Sequence, residues 1–146
     1  MPERESVWRG FRAFPTAGRD GDTIRVMTDG GFESRAEPRL RLYDVSAPEL
    51  AVRLPAQAQP GGRETTEFVD AWLAAAHAKN PRRRWWLWVD TLLTRTYEPE
   101  QRRTFVRYVA RVWQYDEHEA GLGEPATLNS AIRLFLSGHP EWPSGD

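Results

Sequence analysis

Cysteine is absent from the 146-residue chain, which excludes disulfides, thiolate nucleophiles and cysteine metal ligands together. Lysine is almost absent: Lys79 is the single one, so nineteen of the twenty basic residues are arginines. Arginine grips phosphate through a planar fork, although a GC-rich gene produces the same bias. No run of about 18 apolar residues occurs, and the opening stretch MPERESVWRG lacks a signal-peptide core. The expectation is therefore a cytoplasmic protein with no membrane partner. An excess of charge is missing too. A net charge of −1 argues against a broad basic surface, since domains that wrap nucleic acid usually have isoelectric points above about 9, but a small basic site is compatible with it. What the chain does have, 40% hydrophobic and 28% charged residues, suits one packed core, so 1–146 reads as a single domain with its core at about 7–138.

Hydrophobic period supplies the elements. VWRGFRAF, residues 7–14, alternates as a half-buried strand does. After a tight turn at Asp20-Gly21, a second strand runs from Thr23 to about Thr28, and Asp29-Gly30-Gly31 reads as the turn of a hairpin. Arg39 to Val45 is a third strand, with Leu40, Leu42 and Asp44 on one face. From Gly62 the period becomes helical, with Phe68, Trp72, Leu73 and Ala76 in phase, until Asn80-Pro81 stops it. RWWLWVDTLL makes a fourth strand, TYEPEQRR a polar loop, and residues 104–115 a fifth strand. TLNSAIRLFLS is a second helix, capped by Thr127 and ended by Gly138. This order is compatible with an α+β fold: a five-stranded OB-like Greek-key β-barrel with a helix after strand 3 and a C-terminal helix. LPAQAQPGGR reads as a loop over the barrel mouth.

The motifs DGDTIRV, RLYDVSAPE and PGGRETTEF, followed by RYVARVW and LNSAI, resemble the staphylococcal nuclease (thermonuclease) family over about residues 7–138. The resemblance implies metal-dependent hydrolysis of DNA or RNA phosphodiesters, with calcium as the cofactor. By the same resemblance Asp22 takes the place of a calcium-binding aspartate with Thr23 near the metal and Asp20 behind it. Arg41 and Arg107 take the places of two phosphate-binding arginines, and Glu49 that of the glutamate near the attacking water.

Elementary chemistry suits those assignments. Charge grows on the non-bridging oxygens as phosphorus becomes pentacoordinate, so guanidinium forks and a hard cation aimed there stabilise the transition state more than the substrate. A carboxylate beyond a strand end can orient or deprotonate water. In that reading Pro48 breaks the strand begun by Arg41 so that Glu49 returns to the same cavity.

Each motif also has a plainer reading. Asp20-Gly21-Asp22 is a common turn sequence, Arg107 an exposed strand arginine, and Arg82-Arg83-Arg84 solvated loop charges. Trp72 and alternate members of Trp85, Trp86 and Trp88 read as core. His77, His118 and His139 lack metal-ligand spacing.

Three departures from the family pattern stand out. Ser46 replaces a second calcium-binding aspartate, which should weaken calcium binding. Asp44 offers a remedy, because in a regular strand residues 44 and 46 point the same way about 7 Å apart. Thr104, Phe105 and Val106 replace the lysine, tyrosine and glycine that often precede the second arginine. The ending GHPEWPSGD implies that a third helix is missing. The alternative to a nuclease is therefore a catalytically impaired nuclease-fold module that binds nucleic acid or serves in a larger assembly. Asn129, near the start of the second helix, is expected to be buried and bonded to backbone, as a similar asparagine is in thermonucleases.

Overall fold

The computed structural model describes residues 7–16, 22–48, 59–100 and 102–143. Six strands and three helices are present among them: β1 (Arg9–Pro15), β2 (Thr23–Gly31), β3 (Ser34–Ala36), β4 (Arg39–Leu42), α1 (Gly62–Lys79), β5 (Leu87–Glu98), β6 (Arg103–Gln114), α2 (Tyr115–Glu119) and α3 (Leu128–Ser137). The sheet order is β1-β5-β6-β4-β2-β3, and a further β1–β2 pairing closes five of the strands into a barrel, with β3 attached to β2 outside the ring. All pairings are antiparallel except β4 with β6, where Arg41 stands beside Val109 and Leu42 beside Ala110. The fold is thus α+β with a closed, mixed five-stranded barrel.

Strand alternation sends Ile24, Val26, Leu40, Leu42, Leu87, Val89, Ala110 and Val112 inward, where each is almost fully buried. Val69, Leu73 and Ala76 of α1 and Leu128 and Ile132 of α3 complete the same core. Each of these larger side chains contributes roughly 1.5–3 kcal/mol by leaving water. Helix α3 begins as its sequence predicts, with the Thr127 hydroxyl accepting from the Ser130 N–H at 3.0 Å. Helix α1 has no side-chain cap and starts from Gly61, whose φ of 89° is left-handed.

Gly61 is fixed by more than its dihedral. The Trp142 indole lies across it, 2.2 Å from where a Cβ would stand. That indole stacks on His139 and meets Phe135, which in turn stacks on Phe68 of α1. The segment after α3 is therefore tied down over the start of α1. Gly61→Ala adds both a steric clash and a left-handed non-glycine residue, so a loss of about 1–3 kcal/mol is expected, measured as a lower midpoint in urea or thermal unfolding. An unchanged midpoint would show that Trp142 moves aside freely.

Several element boundaries differ from the sequence expectation. The hairpin turn falls at Phe32-Glu33, with φ of 52° and 64°, rather than at Asp29-Gly30-Gly31. The strand continues through those glycines with a bulge between Asp29 and Gly31. The Gly31 N–H donates to Asp29 Oδ1 at 3.0 Å. That bond, together with the Arg12 guanidinium, lowers the Asp29 carboxyl below the ordinary carboxylate range. The connection FESRAEP contains the short strand β3, and TYEPEQRR is partly strand, since β5 runs to Glu98. The expected third strand, 39–45, stops at Leu42. Tyr115, expected to end the fifth strand, instead opens α2. No described helix is long and apolar enough to cross a membrane. Residues 54–58 of the expected loop LPAQAQPGGR lie outside the described residues, and its Gly62 and Arg63 already belong to α1.

Candidate phosphate-binding face

The side of the barrel opposite its core-facing residues carries an unusual share of arginine. Because Ile24, Leu40, Leu42, Ala110 and Val112 point inward, their neighbours in the strands point outward. On β2 these are Thr23 and Arg25, on β4 Arg39 and Arg41, and on β6 Arg107, Val109 and Arg111. Strand register aligns them. Thr23 lies across from Arg41 and Arg25 across from Arg39, while Arg41 is beside Val109 on the parallel seam. Arg107 is two residues before Val109 on the same face, which puts its Cα about 8 Å from that of Arg41. Like charges directly across a ladder destabilise a sheet, so the Arg25–Arg39 pair is a feature that an anion would relieve.

Asp22 enters this face from the start of β2. Its backbone carbonyl accepts from the Leu42 N–H at 2.7 Å, which anchors residue 22 beside β4. Its carboxylate lies 3.8 Å from Arg41 Nη1, and the side chains are 14% and 32% exposed respectively. The Thr23 hydroxyl donates to Asp22 Oδ1 at 3.2 Å. Asp22, Thr23 and Arg41 therefore meet as a group, with Arg107 diagonal to it across the seam. Arg107 itself is exposed, and its carbonyl accepts from the Thr94 hydroxyl at 3.0 Å.

The remaining sequence candidates are placed differently. Asp44 does not extend a regular strand: it sits in a turn at φ 55°, and its carboxylate lies 3.7 Å from Arg133 Nη1 of α3 with 75% of the side chain exposed. The strand geometry that would align it with Ser46 is absent. Ser46 is half-buried between buried Val45 and Ala47. Glu49 and Asp20 lie outside the described residues. Calcium takes six to eight oxygen ligands. Among the described residues no group of three or more His, Cys, Asp or Glu side chains is gathered for a metal ion, so Asp22 and Thr23 alone do not compose a calcium site.

Asn129 fulfils its expectation. It is fully buried, its Oδ1 accepts from the Val112 N–H at 3.0 Å, and its Nδ2 donates to the Tyr43 and Ala110 carbonyls at 2.9 and 2.8 Å. One amide thus pins α3 to β6 and to the turn just beyond Arg41. Of the tryptophans, Trp86 is buried, as is Trp113, while Trp72, Trp85 and Trp88 are half-buried. Trp86 stacks on His77, and Trp88 on His118. Arg83 lies over the Tyr115 ring and pairs with Asp116, and Arg84 lies over Trp85, so this part of the basic run is engaged with α2 and with aromatic surface.

Sequence reasoning overlooked Arg25, Arg39 and Arg111 as members of the face. Their signal was available in part, as arginine at alternate strand positions, but which strands adjoin was not.

The fold and this face define a β-barrel protein with arginines gathered on one wall. No family model, curated protein or solved structure matches the chain.

Proposed function

We propose that the protein is a thermonuclease-like phosphodiesterase acting on DNA or RNA, built on an OB-type Greek-key barrel. One observation carries the reading: Asp22, Arg41 and Arg107, far apart in the chain and singled out by the family resemblance, converge on neighbouring strands of one face. The cyclic strand order and the single parallel pair among the described strands support the OB-type assignment.

In this reading Arg41 and Arg107 hold the non-bridging oxygens of the scissile phosphate, with charge-assisted hydrogen bonds that strengthen as negative charge grows. Asp22, itself steadied by the Thr23 hydroxyl, fixes the direction of the Arg41 fork. Glu49 supplies the carboxylate that orients or deprotonates the attacking water. A divalent cation, calcium by the resemblance, would add charge neutralisation at the phosphate.

A second reading, a nucleic-acid-binding module without hydrolysis, is favoured by Ser46, which stands where the family carries a carboxylate. The two readings separate in one experiment. End-labelled single-stranded DNA and RNA are incubated with purified protein in calcium or in EDTA, and binding is followed in parallel by fluorescence anisotropy. The nuclease reading expects cleavage in calcium and none in EDTA, with binding retained in EDTA. Binding without cleavage in either buffer would establish the module instead, and the absence of both would overturn the two together.

A further inference from the structure

Arg111 occupies the outer face of β6 two residues beyond Val109, and nothing in the proposed hydrolysis uses it. Its guanidinium carbon lies 4.2 Å from the centre of the Trp8 ring and 5.0 Å from that of Tyr43. The two rings meet edge to face at 5.2 Å. Trp8 precedes β1, Tyr43 follows β4 and Arg111 belongs to β6, so three separate segments build the clamp. The Arg111 Nε is buried with no hydrogen-bond partner among the described residues. Asp90, across from Arg111 on β5, directs Oδ1 to the Trp88 indole N–H at 2.9 Å.

An arginine packed against two aromatic rings has less freedom left to lose, yet its in-plane N–H groups still seek acceptors. The buried Nε is out of a ligand's reach, so an acceptor supplied from outside meets the outer nitrogens of the fork. The register fixes where that acceptor would be. Arg111 is diagonal to Arg41 across the seam, with Cα atoms about 8 Å apart, so the two guanidinium groups can reach neighbouring phosphates on one extended strand. Tyr43 is 40% exposed and stands next to them. Cationic groups tracking a backbone, with a ring on which a base stacks, are the two components of single-strand binding sites.

We propose that Arg111, Trp8 and Tyr43 form a subsite for an adjoining nucleotide of single-stranded nucleic acid: the Arg111 edge takes the next phosphate and Tyr43 stacks on an unpaired base. This rests on the nucleic-acid reading above. The test measures anisotropy of labelled oligothymidylate and of a duplex in EDTA, over a range of salt, for wild type, Arg111→Met, Tyr43→Leu and the control Arg84→Ala. Arg111→Met keeps an apolar stem against the rings. It should weaken single-strand binding about tenfold and lower the slope of log affinity against log salt by about 0.7, the value for one lost phosphate contact on a single strand. Tyr43→Leu should weaken single-strand binding several-fold while leaving duplex binding unchanged, and Arg84→Ala should change neither slope nor preference. Thermal unfolding of each variant checks folding, and if Arg111→Met is unfolded, Tyr43→Leu decides alone. Wild-type binding with an unchanged slope in Arg111→Met, or equal loss on both substrates in Tyr43→Leu, would overturn the subsite and leave the Arg41 face standing. Failure of wild type to bind would instead remove the nucleic-acid reading, and the subsite with it.

Discussion

Arg41→Ala is expected to slow phosphodiester cleavage by about 100-fold or more, the size of effect seen when a preorganised charge partner of the transition state is removed. The effect belongs to chemistry rather than to folding. The Arg41–Asp22 pair is separated by 3.8 Å and the Arg41 side chain is 32% exposed, so its removal should lower stability by about 1 kcal/mol. Glu49→Gln, which keeps size and removes the charge, should produce a comparable loss. Single-turnover rates on single-stranded DNA at saturating calcium, with the unfolding midpoint of each variant as a control, would check both. Full activity in the two folded variants would remove Arg41 and Glu49 from the reaction and with them the nuclease reading.

Loss of the Asn129 side chain should be the most damaging single change to the fold. Asn129→Ala deletes the acceptor for the Val112 N–H and a donor to each of two carbonyls, at a site with no exposure. Stranded buried groups cost about 1–3 kcal/mol, so a total near 3 kcal/mol is expected, or on the order of 10 °C in thermal midpoint. Asn129→Asp should be no better, since it keeps the acceptor but loses both donations and buries a carboxylate. Chemical denaturation of the three proteins measures this directly, and equal midpoints would show that solvent replaces the amide. Because the Tyr43 carbonyl is one of its partners, Asn129 also fixes the turn that leads away from Arg41.

The parts legible in the sequence were those governed by local chemistry. The Thr127 cap, the Asn80-Pro81 stop of α1 and the alternation of Leu40 and Leu42 all act within a few residues, and the structure places each as read. The Phe32-Glu33 turn was not legible, because glycine at 30 and 31 is the stronger local signal for left-handed backbone. Those glycines instead serve a bulge that shifts the turn along the chain. Helix α2 was hidden because WQY continues the apolar alternation of β6 up to the residue where the helix begins. Asp44 was misjudged for a related reason: the turn after Leu42 depends on packing against α3, where Arg133 meets it, and no local pattern announces that.

The site was legible only through spacing that matched a known pattern. Asp22, Arg41 and Arg107 could be named, but Arg25, Arg39 and Arg111 join them through register, which is a property of strand pairing rather than of sequence. The Trp8–Arg111–Tyr43 clamp spans about a hundred residues of chain, and three such common residue types carry no sign that they meet.

The parallel pairing of β4 with β6 also governs when the arginine face is completed. It joins residues 40–42 to 108–110, a contact that must wait until the long intervening stretch has been ordered or looped out, and such distant pairings form slowly. During synthesis β1, β2 and β4 leave the ribosome well before β6, so the early chain can form local hairpins but no closed barrel. Arg41 and Arg107 stand on opposite banks of that seam. An unfinished chain therefore holds Arg41 without Arg107, and the two come to adjoin only at the step that closes the barrel.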